Sequence, residues 1–368
     1  MSSPRARVWL EVDLAALAAN FATIAAAVAP LEVMAVLKAN AYGLGVRPIA
    51  EALAAAGVAR FGVAEPSEAM TLQDIGPPVQ ILGSVLAEEL PLIVREGVIP
   101  PITDLRTAQA LSAEAQRQNR QVEAHILIDS GMGRLGILEQ DARRLIPEIV
   151  ALPGLHCSGL FSHFPHAYGA PEFACDQVSR LSLLIDDLAR QGIHFQHIHI
   201  ANSDGINNVS PAIQTPFTMV RTGLNLYGVF DLEGRHTLPV QPVLSLKARL
   251  VQIRDMPAGS TIGYGRLCTL ERPTRVGTVA IGYADGLPLA MTNRGRLSVR
   301  GTGCPILGRV SMDYTTINLD AVPEATVGDD VICLQHGRDV GTWARMKGTV
   351  PYEIICSIGN RVARVYTA

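Results

Sequence analysis

The order of strand-like and helix-like segments constrains the fold of this chain more than any other feature. In the first two thirds, apolar runs of strand length alternate with amphipathic or alanine-rich stretches of helical period. The eight apolar runs cover residues 33–37, 61–64, 79–82, 98–102, 122–128, 155–161, 195–200 and 218–220. Strands that alternate with helices form right-handed βαβ units and a parallel sheet. Eight units predict a (β/α)8 barrel, and a doubly wound open sheet is the alternative.

From about residue 234 the pattern changes to short β-rich runs separated by glycine and proline, which predicts an antiparallel β domain. The runs cover residues 244–253, 275–281, 295–299, 304–310, 314–319 and 330–334, and a helix at 343–347 and a strand at 358–366 follow. The polar segment 231–239, DLEGRHTLP, is the predicted linker. We therefore predict an α/β fold with a TIM-like barrel at 1–234 and a mainly antiparallel β domain at 235–368. This division allows the first residues, which are numbered with the barrel, to pack with the β domain.

Composition excludes several classes of function. With 368 residues, 48% of them hydrophobic, and a net charge of -3, the chain is long enough for two domains with cores of their own. The basic residues are scattered, so neither nucleic acid nor a membrane surface is an expected partner. The six cysteines form no CxxC pair, and the N-terminal segment MSSPRARVWLEVDL lacks the apolar core of a signal peptide. We expect a reduced, cytoplasmic protein without a metal site.

A lysine lies where the first barrel strand opens into a loop, in the segment VMAVLKANAYGLG. Barrel enzymes place their chemistry at the carboxyl ends of the strands, which is the position of Lys38. Desolvation at such a place disfavours the ammonium form and lowers its pKa, which is how a lysine becomes a Schiff-base nucleophile. On its spacing alone, Lys38 is equally well explained as a surface-loop residue.

Other polar residues follow later strands of the predicted barrel. Arg134 lies just past the fifth strand, His163 ends the sixth, and Asn202, Ser203 and Arg221 follow the seventh and eighth. The loops ANSDG and RTGLN have the glycine and hydroxyl groups of a barrel phosphate site. A phosphorylated ligand beside a reactive lysine suggests pyridoxal phosphate. Taken singly, an arginine such as Arg134 is more often a salt-bridge residue than a ligand of a cofactor, and a histidine such as His163 is more often a core residue than a catalytic one.

The motifs of the chain closely resemble the alanine racemase family, whose members are fold type III pyridoxal phosphate enzymes. The matching motifs run in the family's order from Leu10 to Tyr366: AVLKANAYGLG, GMGRLG, SHF, ANSDG, VRTGLNLYG, IGYGR, GYADG, GRVSMDY, PYEI and RVARVY. The resemblance implies a cofactor-binding barrel followed by a β domain in a head-to-tail homodimer. Each active site would combine one barrel with the partner's β domain.

The resemblance also implies catalytic roles. Lys38 looks like the residue that binds the cofactor as a Schiff base and serves as acid and base on one face of the substrate's α-carbon. Tyr264, in IGYGR, looks like the base for the opposite face, contributed by the other subunit. Arg221 resembles the arginine that faces the pyridine nitrogen, where a permanent cation disfavours ring protonation and suppresses transamination. His199 looks like the partner of Arg221.

The remaining family positions bind cofactor or substrate. Arg134 looks like the donor to the cofactor's phenolic oxygen and a neighbour of the substrate carboxylate, and His163 resembles the histidine packed against the ring. Phosphate ligation is implied for Tyr42, Ser203, Tyr352 and the backbone around Gly223 and Leu224, and Asn202 is counted with the cofactor site. Met312 resembles the partner residue whose amide meets the substrate carboxylate, and Tyr283 and Tyr352 look like the constriction of the substrate entrance.

Two departures from the family pattern leave questions open. Many members have a lysine, often carbamylated, at the position of Leu127, so the acid that would orient Arg134 is absent from its usual place. The segment 162–172, SHFPHAYGAPE, lies near the implied entrance and leaves the preference among small amino acids open. We expect interconversion of L-alanine and D-alanine, which would supply D-alanine for peptidoglycan.

Three other functions remain as alternatives. A racemase of serine or of a broader set of small amino acids would use the same residues. A non-catalytic, single-barrel protein of pyridoxal phosphate homeostasis would lack the β domain that IGYGR and GRVSMDY indicate. A fold type III decarboxylase would place an acid where Arg221 stands.

Overall fold

The structure is a computed structural model that describes residues 6–335 and 339–367. Residues 1–5 and 368, which are the outer ends of the two predicted domains, and residues 336–338 lie outside the described part. The predicted division between the domains at residues 234 and 235 stays a prediction.

A strand and a capped helix precede the barrel strands. Strand β1 (Val8–Asp13) leads directly into helix α1 (Leu14–Val28), and the carboxylate of Asp13 caps the helix by accepting a hydrogen bond from Ala16 N at 2.8 Å. The next strands are β2 (Glu32–Val36), β3 (Arg60–Val63), β4 (Val79–Ile81), β5 (Pro101–Ile102), β6 (Val122–Asp129), β7 (Ile137–Leu138), β8 (Leu155–Phe161), β9 (His197–His199) and β10 (Met219–Thr222). The helices between them are α2 (Lys38–Tyr42), α3 (Val46–Ala55), α4 (Pro66–Met70), α5 (Leu90–Glu96), α6 (Leu105–Arg117), α7 (Glu139–Val150), α8 (Pro171–Arg190) and α9 (Ser203–Asn208).

Two parallel arcs of strands close into a barrel. One arc has the order β10-β2-β3-β4 and the other the order β5-β6-β8-β9, with β7 paired to the end of β6. A bridge between Gln80 and Ile99 joins the arcs on one side. On the other side, the backbone N–H of Thr218 donates to the carbonyl of Ile198 at 2.9 Å. The predicted barrel is confirmed, and the open-sheet alternative is wrong.

The second half of the chain forms a largely antiparallel sheet. The strands of that sheet after the barrel are β11 (Leu244–Met256), β14 (Thr274–Val279), β15 (Arg296–Val299), β16 (Thr302–Pro305), β17 (Thr315–Asn318), β18 (Asp330–Leu334) and β19 (Ala363–Thr367). The short strands β12 (Thr261–Ile262) and β13 (Cys268–Thr269) form a separate two-stranded sheet, and the helices of this half are α10 (Val340–Lys347) and α11 (Pro351–Cys356). The larger sheet has the order β16-β15-β18-β11-β1-β19, with β14 paired to β11 and β17 paired to β14. Strand β1 lies inside this sheet, antiparallel to β11 and parallel to β19. The β domain is therefore completed by a strand that precedes the barrel in sequence.

Several predicted strand boundaries are wrong, and at prolines and a glycine the reason is local. The strand predicted at 98–102 shrinks to β5, because Pro100 and Pro101 have no N–H to donate to a neighbouring strand. The strand predicted at 304–310 ends at Pro305, and the chain then turns at Gly308, whose φ is +74°. The strand predicted at 358–366 begins only at Ala363. In the described part of the chain, no helix has the length and apolar character needed to cross a bilayer.

Candidate active site

Lys38 opens a left-handed turn at the carboxyl end of β2. The four residues after it have φ between 52° and 58°, although none is a glycine: Ala39, Asn40, Ala41 and Tyr42. An L-residue in this conformation costs about 1–2 kcal/mol, so the turn needs support from its surroundings. Glu68 supplies part of it, since its two carboxylate oxygens accept hydrogen bonds from Ala39 N at 2.6 Å and Ala64 N at 2.7 Å. The carboxylate thus ties the lysine turn to the end of β3.

The β domain holds the same turn from the other side. Two nitrogens of Arg364, in β19, donate to the carbonyl of Gly43 at 3.1 and 2.8 Å. The hydroxyl of Tyr366 donates to the carbonyl of Leu44 at 3.0 Å. At Gly45, where φ is +102°, a Cβ would lie 1.8 Å from the Tyr366 hydroxyl, so only glycine fits. The position of Lys38 therefore depends on both domains.

A cavity of about 530 Å³ lies at the carboxyl ends of the barrel strands. Nine of the ten predicted cofactor-binding residues line it: Lys38, Tyr42, Arg134, His163, Asn202, Ser203, Arg221, Gly223 and Tyr352. The tenth, Leu224, follows Gly223 in sequence, is buried and does not line the cavity. The volume lies within the range of small-molecule sites. The structure thus brings the sequence-predicted residues together in one place.

Lys38 lies among positive charges in this cavity. Partial burial lowers the pKa of its ammonium group, and the nearby charge of Arg134 lowers it further. A lowered pKa raises the fraction of neutral amine at pH 7, and the neutral amine is the nucleophile that attacks a carbonyl.

Arg221 is buried beneath the cavity in β10 and is held by hydrogen bonds. One guanidinium nitrogen lies 2.6 Å from His199 Nδ1, and the other lies 2.8 Å from the Ser162 carbonyl and 3.1 Å from His163 Nδ1. Burial lowers the pKa of Arg221 to about 9, so the group remains a cation at neutral pH. Because a guanidinium has donors only, both imidazoles must accept through unprotonated Nδ1 atoms.

The end of the cavity near α9 carries hydroxyl groups. The backbone N–H of Gly223 donates to Ser203 Oγ at 3.0 Å, and a Cβ at position 223 would come within 2.2 Å of the Tyr42 hydroxyl. The rings of Tyr42 and Tyr352 lie 5.9 Å apart, and burial raises the pKa of both phenols, which keeps them protonated as donors. Hydroxyl donors at one end, two arginines and a lysine of lowered pKa fit an aldehyde that carries a phosphate, such as pyridoxal phosphate.

The loop that carries Arg134 is shaped by a residue that the sequence analysis missed. Asp129 Oδ1 accepts hydrogen bonds from Gly131 N at 2.9 Å and Gly133 N at 3.0 Å. An aspartate followed by glycines is a signal for such a turn. Leu127 lines the cavity beside Arg134 as an apolar wall. Within residues 6–335 and 339–367, Arg134 forms no salt bridge with an aspartate or glutamate.

The other predicted residues lie on the β domain, away from this chain's own cavity. Tyr264 is 72% exposed, Met312 52% and Tyr283 47%. The backbone N–H of Tyr283 donates to the Ser311 carbonyl at 3.0 Å, and that of Ala284 donates to the Met312 carbonyl at 3.2 Å. We call Tyr264, Tyr283 and Met312 together the tyrosine face. All three side chains are exposed at the surface of the described chain.

We expect the free energy of unfolding to fall when the pH decreases below 6.5. Burial lowers the pKa of His125 to about 4 and that of His163 to about 3, whereas histidines of the unfolded chain titrate near 6.5. The unfolded state therefore binds protons first, and each histidine costs about 1.4 kcal/mol of stability by pH 5.5. Urea unfolding at pH 7.5 and 5.5 measures the loss, and replacing His163 with glutamine should reduce it. Equal urea midpoints at the two pH values would contradict the assignment.

Comparison with known families matches both halves of the chain. Residues 12–231 match the family model described as alanine racemase, N-terminal domain, and residues 243–366 match alanine racemase, C-terminal domain. An alanine racemase of Desulfosudis oleivorans is 35% identical, with 97% of this chain and 96% of that protein covered. One of Halothermothrix orenii is 33% identical, with the same coverage of both chains.

Solved structures give the same result. Alanine racemase of Clostridium difficile 630 superposes with a TM-score of 0.93 at 28% identity, covering 99% of this chain and 97% of that one. Alanine racemase of Bartonella henselae, solved with covalently bound pyridoxal phosphate, has a TM-score of 0.89 at 30% identity, covering 98% and 100%. The predicted fold is confirmed, and both domains of this chain belong to the alanine racemase family.

Proposed function

We propose that this chain is a pyridoxal phosphate-dependent isomerase that interconverts L-alanine and D-alanine. The family matches bear out the predicted activity and cofactor. The observation that carries the proposal is Lys38, with a lowered pKa, in a small cavity that Arg134 and Arg221 also line. Pyridoxal phosphate bound at Lys38 would supply the acidification of the substrate's α-carbon. The phosphate would be held by Tyr42, Ser203, Tyr352 and the backbone of Gly223.

In this proposal two groups move protons on opposite faces of the α-carbon. Lys38 takes or returns the proton on one face, and Tyr264 of the partner subunit does so on the other. Two bases are needed because inversion requires removal from one side and delivery from the other. Arg134 and the backbone of Met312 from the partner subunit would bind the substrate carboxylate, while Tyr283 would narrow the entrance.

The homodimer is part of the proposal, and the tyrosine face supports it. Its three residues are exposed and line no part of their own chain's cavity. Tyr264, the proposed second base, is exposed on the β domain and lies outside its own chain's cavity, so a head-to-tail pair would bring it to the barrel of the partner subunit. We also propose that the enzyme works in the cytoplasm and that its D-alanine serves peptidoglycan synthesis.

Incubation with amino acids in deuterated water tests the function. Purified protein with pyridoxal phosphate is incubated with L-alanine or L-serine, and the products are separated by chiral chromatography with mass detection. We expect α-deuterated D-alanine, formed faster than D-serine because the proposed entrance is narrow. If serine is inverted faster than alanine, serine is the preferred substrate of this enzyme. Inversion of neither amino acid would overturn the racemase proposal.

Dilution tests the shared site. Activity per protomer should fall as the concentration drops below the dimer dissociation constant, since neither subunit holds both bases. Analytical ultracentrifugation locates the transition, and activity is measured across the same range. Constant specific activity through a measured monomer transition would show that each chain carries a complete site.

A further inference from the structure

A line of polar side chains crosses the barrel interior below the cavity. It begins at Arg221, whose guanidinium lies 2.6 Å from His199 Nδ1. His199 Nε2 lies 3.3 Å from His125 Nδ1, and His125 Nε2 lies 3.7 Å from Glu123 Oε1. The first three side chains are buried, with relative exposures of 4%, 0% and 0%. The line thus joins a buried cation at the cavity to a carboxylate in β6.

The donors along this line can point in only one direction. Arg221 has no acceptor, so its N–H donates to Nδ1 of His199, and the neutral ring then carries its proton on Nε2. That proton is donated to Nδ1 of His125, whose own proton must also be on Nε2. This proton faces Glu123 across 3.7 Å, a charge–dipole contact longer than a hydrogen bond, and His125 Nε2 has no hydrogen-bond partner among the described residues. Burial lowers the pKa of both imidazoles, which keeps them neutral.

The carboxylate end is built to remain ionised. Glu123 Oε1 accepts hydrogen bonds from Ser158 Oγ at 2.8 Å and from Arg60 at 3.2 Å. His125, Ser158 and Arg60 together hold the pKa of Glu123 well below its usual range. Arg60 also lies 3.0 Å from His197 Nε2, and His197 Nδ1 lies 3.4 Å from Glu32. These are the charged and titratable groups that face the lower end of the line.

The barrel interior makes room for the imidazoles. A Cβ at Gly159 would lie 2.4 Å from His125 Nδ1, so the glycine of β8 leaves the space that the ring occupies. The His125 ring stacks on His197 with centroids 5.5 Å apart, and the His199 ring stacks on Phe161 at 4.9 Å. The rings are therefore fixed in orientation by packing as well as by hydrogen bonds.

We propose that Glu123 and His125 are positioning residues, which act through His199 to hold Arg221 at the cavity in one orientation. Such outer partners fix the orientation and the basicity of the group they touch, and losing one in metal sites typically costs 10–100-fold. The consequence for catalysis rests on the proposed function, because Arg221 would face the cofactor. The arrangement of protons along the line does not rest on the proposed function, because it follows from the contacts among these side chains.

The first test determines which histidine ring nitrogens carry protons in the protein as purified. Solid-state NMR of full-length protein with ¹⁵N-labelled histidine distinguishes protonated from unprotonated ring nitrogens. We expect His125 and His199 at pH 8 both to be neutral, with Nδ1 unprotonated and Nε2 protonated. Signals are assigned by loss in variants of each residue. A charged ring, or a protonated Nδ1 in either one, would overturn the proposal even if the enzyme racemises alanine.

The second test measures how a change at His125 affects the action of Arg221 at the cofactor. In His125→Leu we expect the pyruvate formed by transamination, per racemisation turnover, to rise about ten-fold. His125→Gln should restore most of the ratio, since an amide can accept from His199 and donate toward Glu123. Gln80→Leu is the matched control, because Gln80 is also a buried polar side chain of the barrel and has no hydrogen-bond partner among the described residues.

The outcomes separate positioning from general damage to the barrel. An equal rise in Gln80→Leu, or no rescue by His125→Gln, would refute the positioning role. If His125→Leu does not fold, Glu123→Gln carries the same expectation, because Glu123 is partly exposed and the change removes only its charge. An unchanged ratio in a folded Glu123→Gln protein would also refute it.

Discussion

Replacing Lys38 with alanine should reduce racemisation by more than about 10⁴-fold, the largest effect that we expect from any single change. The substitution removes both a proton-transfer group, worth about 10²–10⁴-fold, and the amine that would bind the cofactor covalently. The visible absorption band of lysine-bound pyridoxal phosphate should disappear as well. Chiral chromatography and an absorption spectrum of the purified variant measure the two losses.

A matched lysine distinguishes this loss from a general effect of removing charge. Lys247, in β11, forms a salt bridge with Glu11 at 2.7 Å and lies in the β-domain sheet. Lys247→Ala should keep the visible band and nearly all activity. If Lys38→Ala retains the band, the lysine at the end of β2 has been wrongly assigned.

Replacing Tyr264 with phenylalanine should lower interconversion by about 10²–10⁴-fold while the fold and cofactor binding remain intact. The change removes only the phenolic hydroxyl, which is one of two proposed proton-transfer groups. In deuterated water the variant should still exchange the α-proton of one enantiomer, since Lys38 still reaches one face. The other enantiomer should neither exchange nor invert, which mass spectrometry of each enantiomer can establish.

Tyr314 provides the control for this change. It is 42% exposed in the same domain, and it lies outside the cavity lining. Tyr314→Phe should leave interconversion within about two-fold of the unaltered protein. Loss of exchange for both enantiomers in Tyr264→Phe would mean that the tyrosine is needed for binding, and undiminished inversion would mean that another group is the second base.

The sequence was sufficient to predict the barrel because each βαβ unit is encoded locally. The period of hydrophobic residues reveals each strand and helix, and the rules for parallel connections then leave few arrangements. Residues at strand ends, such as Lys38 and Arg221, could be placed for the same reason. Their joint position at one cavity follows from closure of the sheet.

Contacts between distant segments could not be predicted in this way. Glu68 supports the lysine turn through two backbone N–H groups, and Arg364 does so from 321 residues away. Arg364 lies in the motif RVARVY, but neither that motif nor any periodicity indicates which segment it contacts. The left-handed turn could not be predicted from the sequence either, because Ala39 and Ala41 favour right-handed helices. The pairing of β1 with β19 depends on how the second domain folds.

The three hydrogen bonds from β19 to the lysine turn have a consequence for biosynthesis. Ribosomes make Gly43 and Leu44 more than 300 residues before Arg364 and Tyr366. The side chains of Arg364 and Tyr366 donate hydrogen bonds to the carbonyls of Gly43 and Leu44, respectively. All the barrel strands are therefore translated before the residues that donate these bonds. The strained turn after Lys38 has its full set of hydrogen bonds only once both domains have been made.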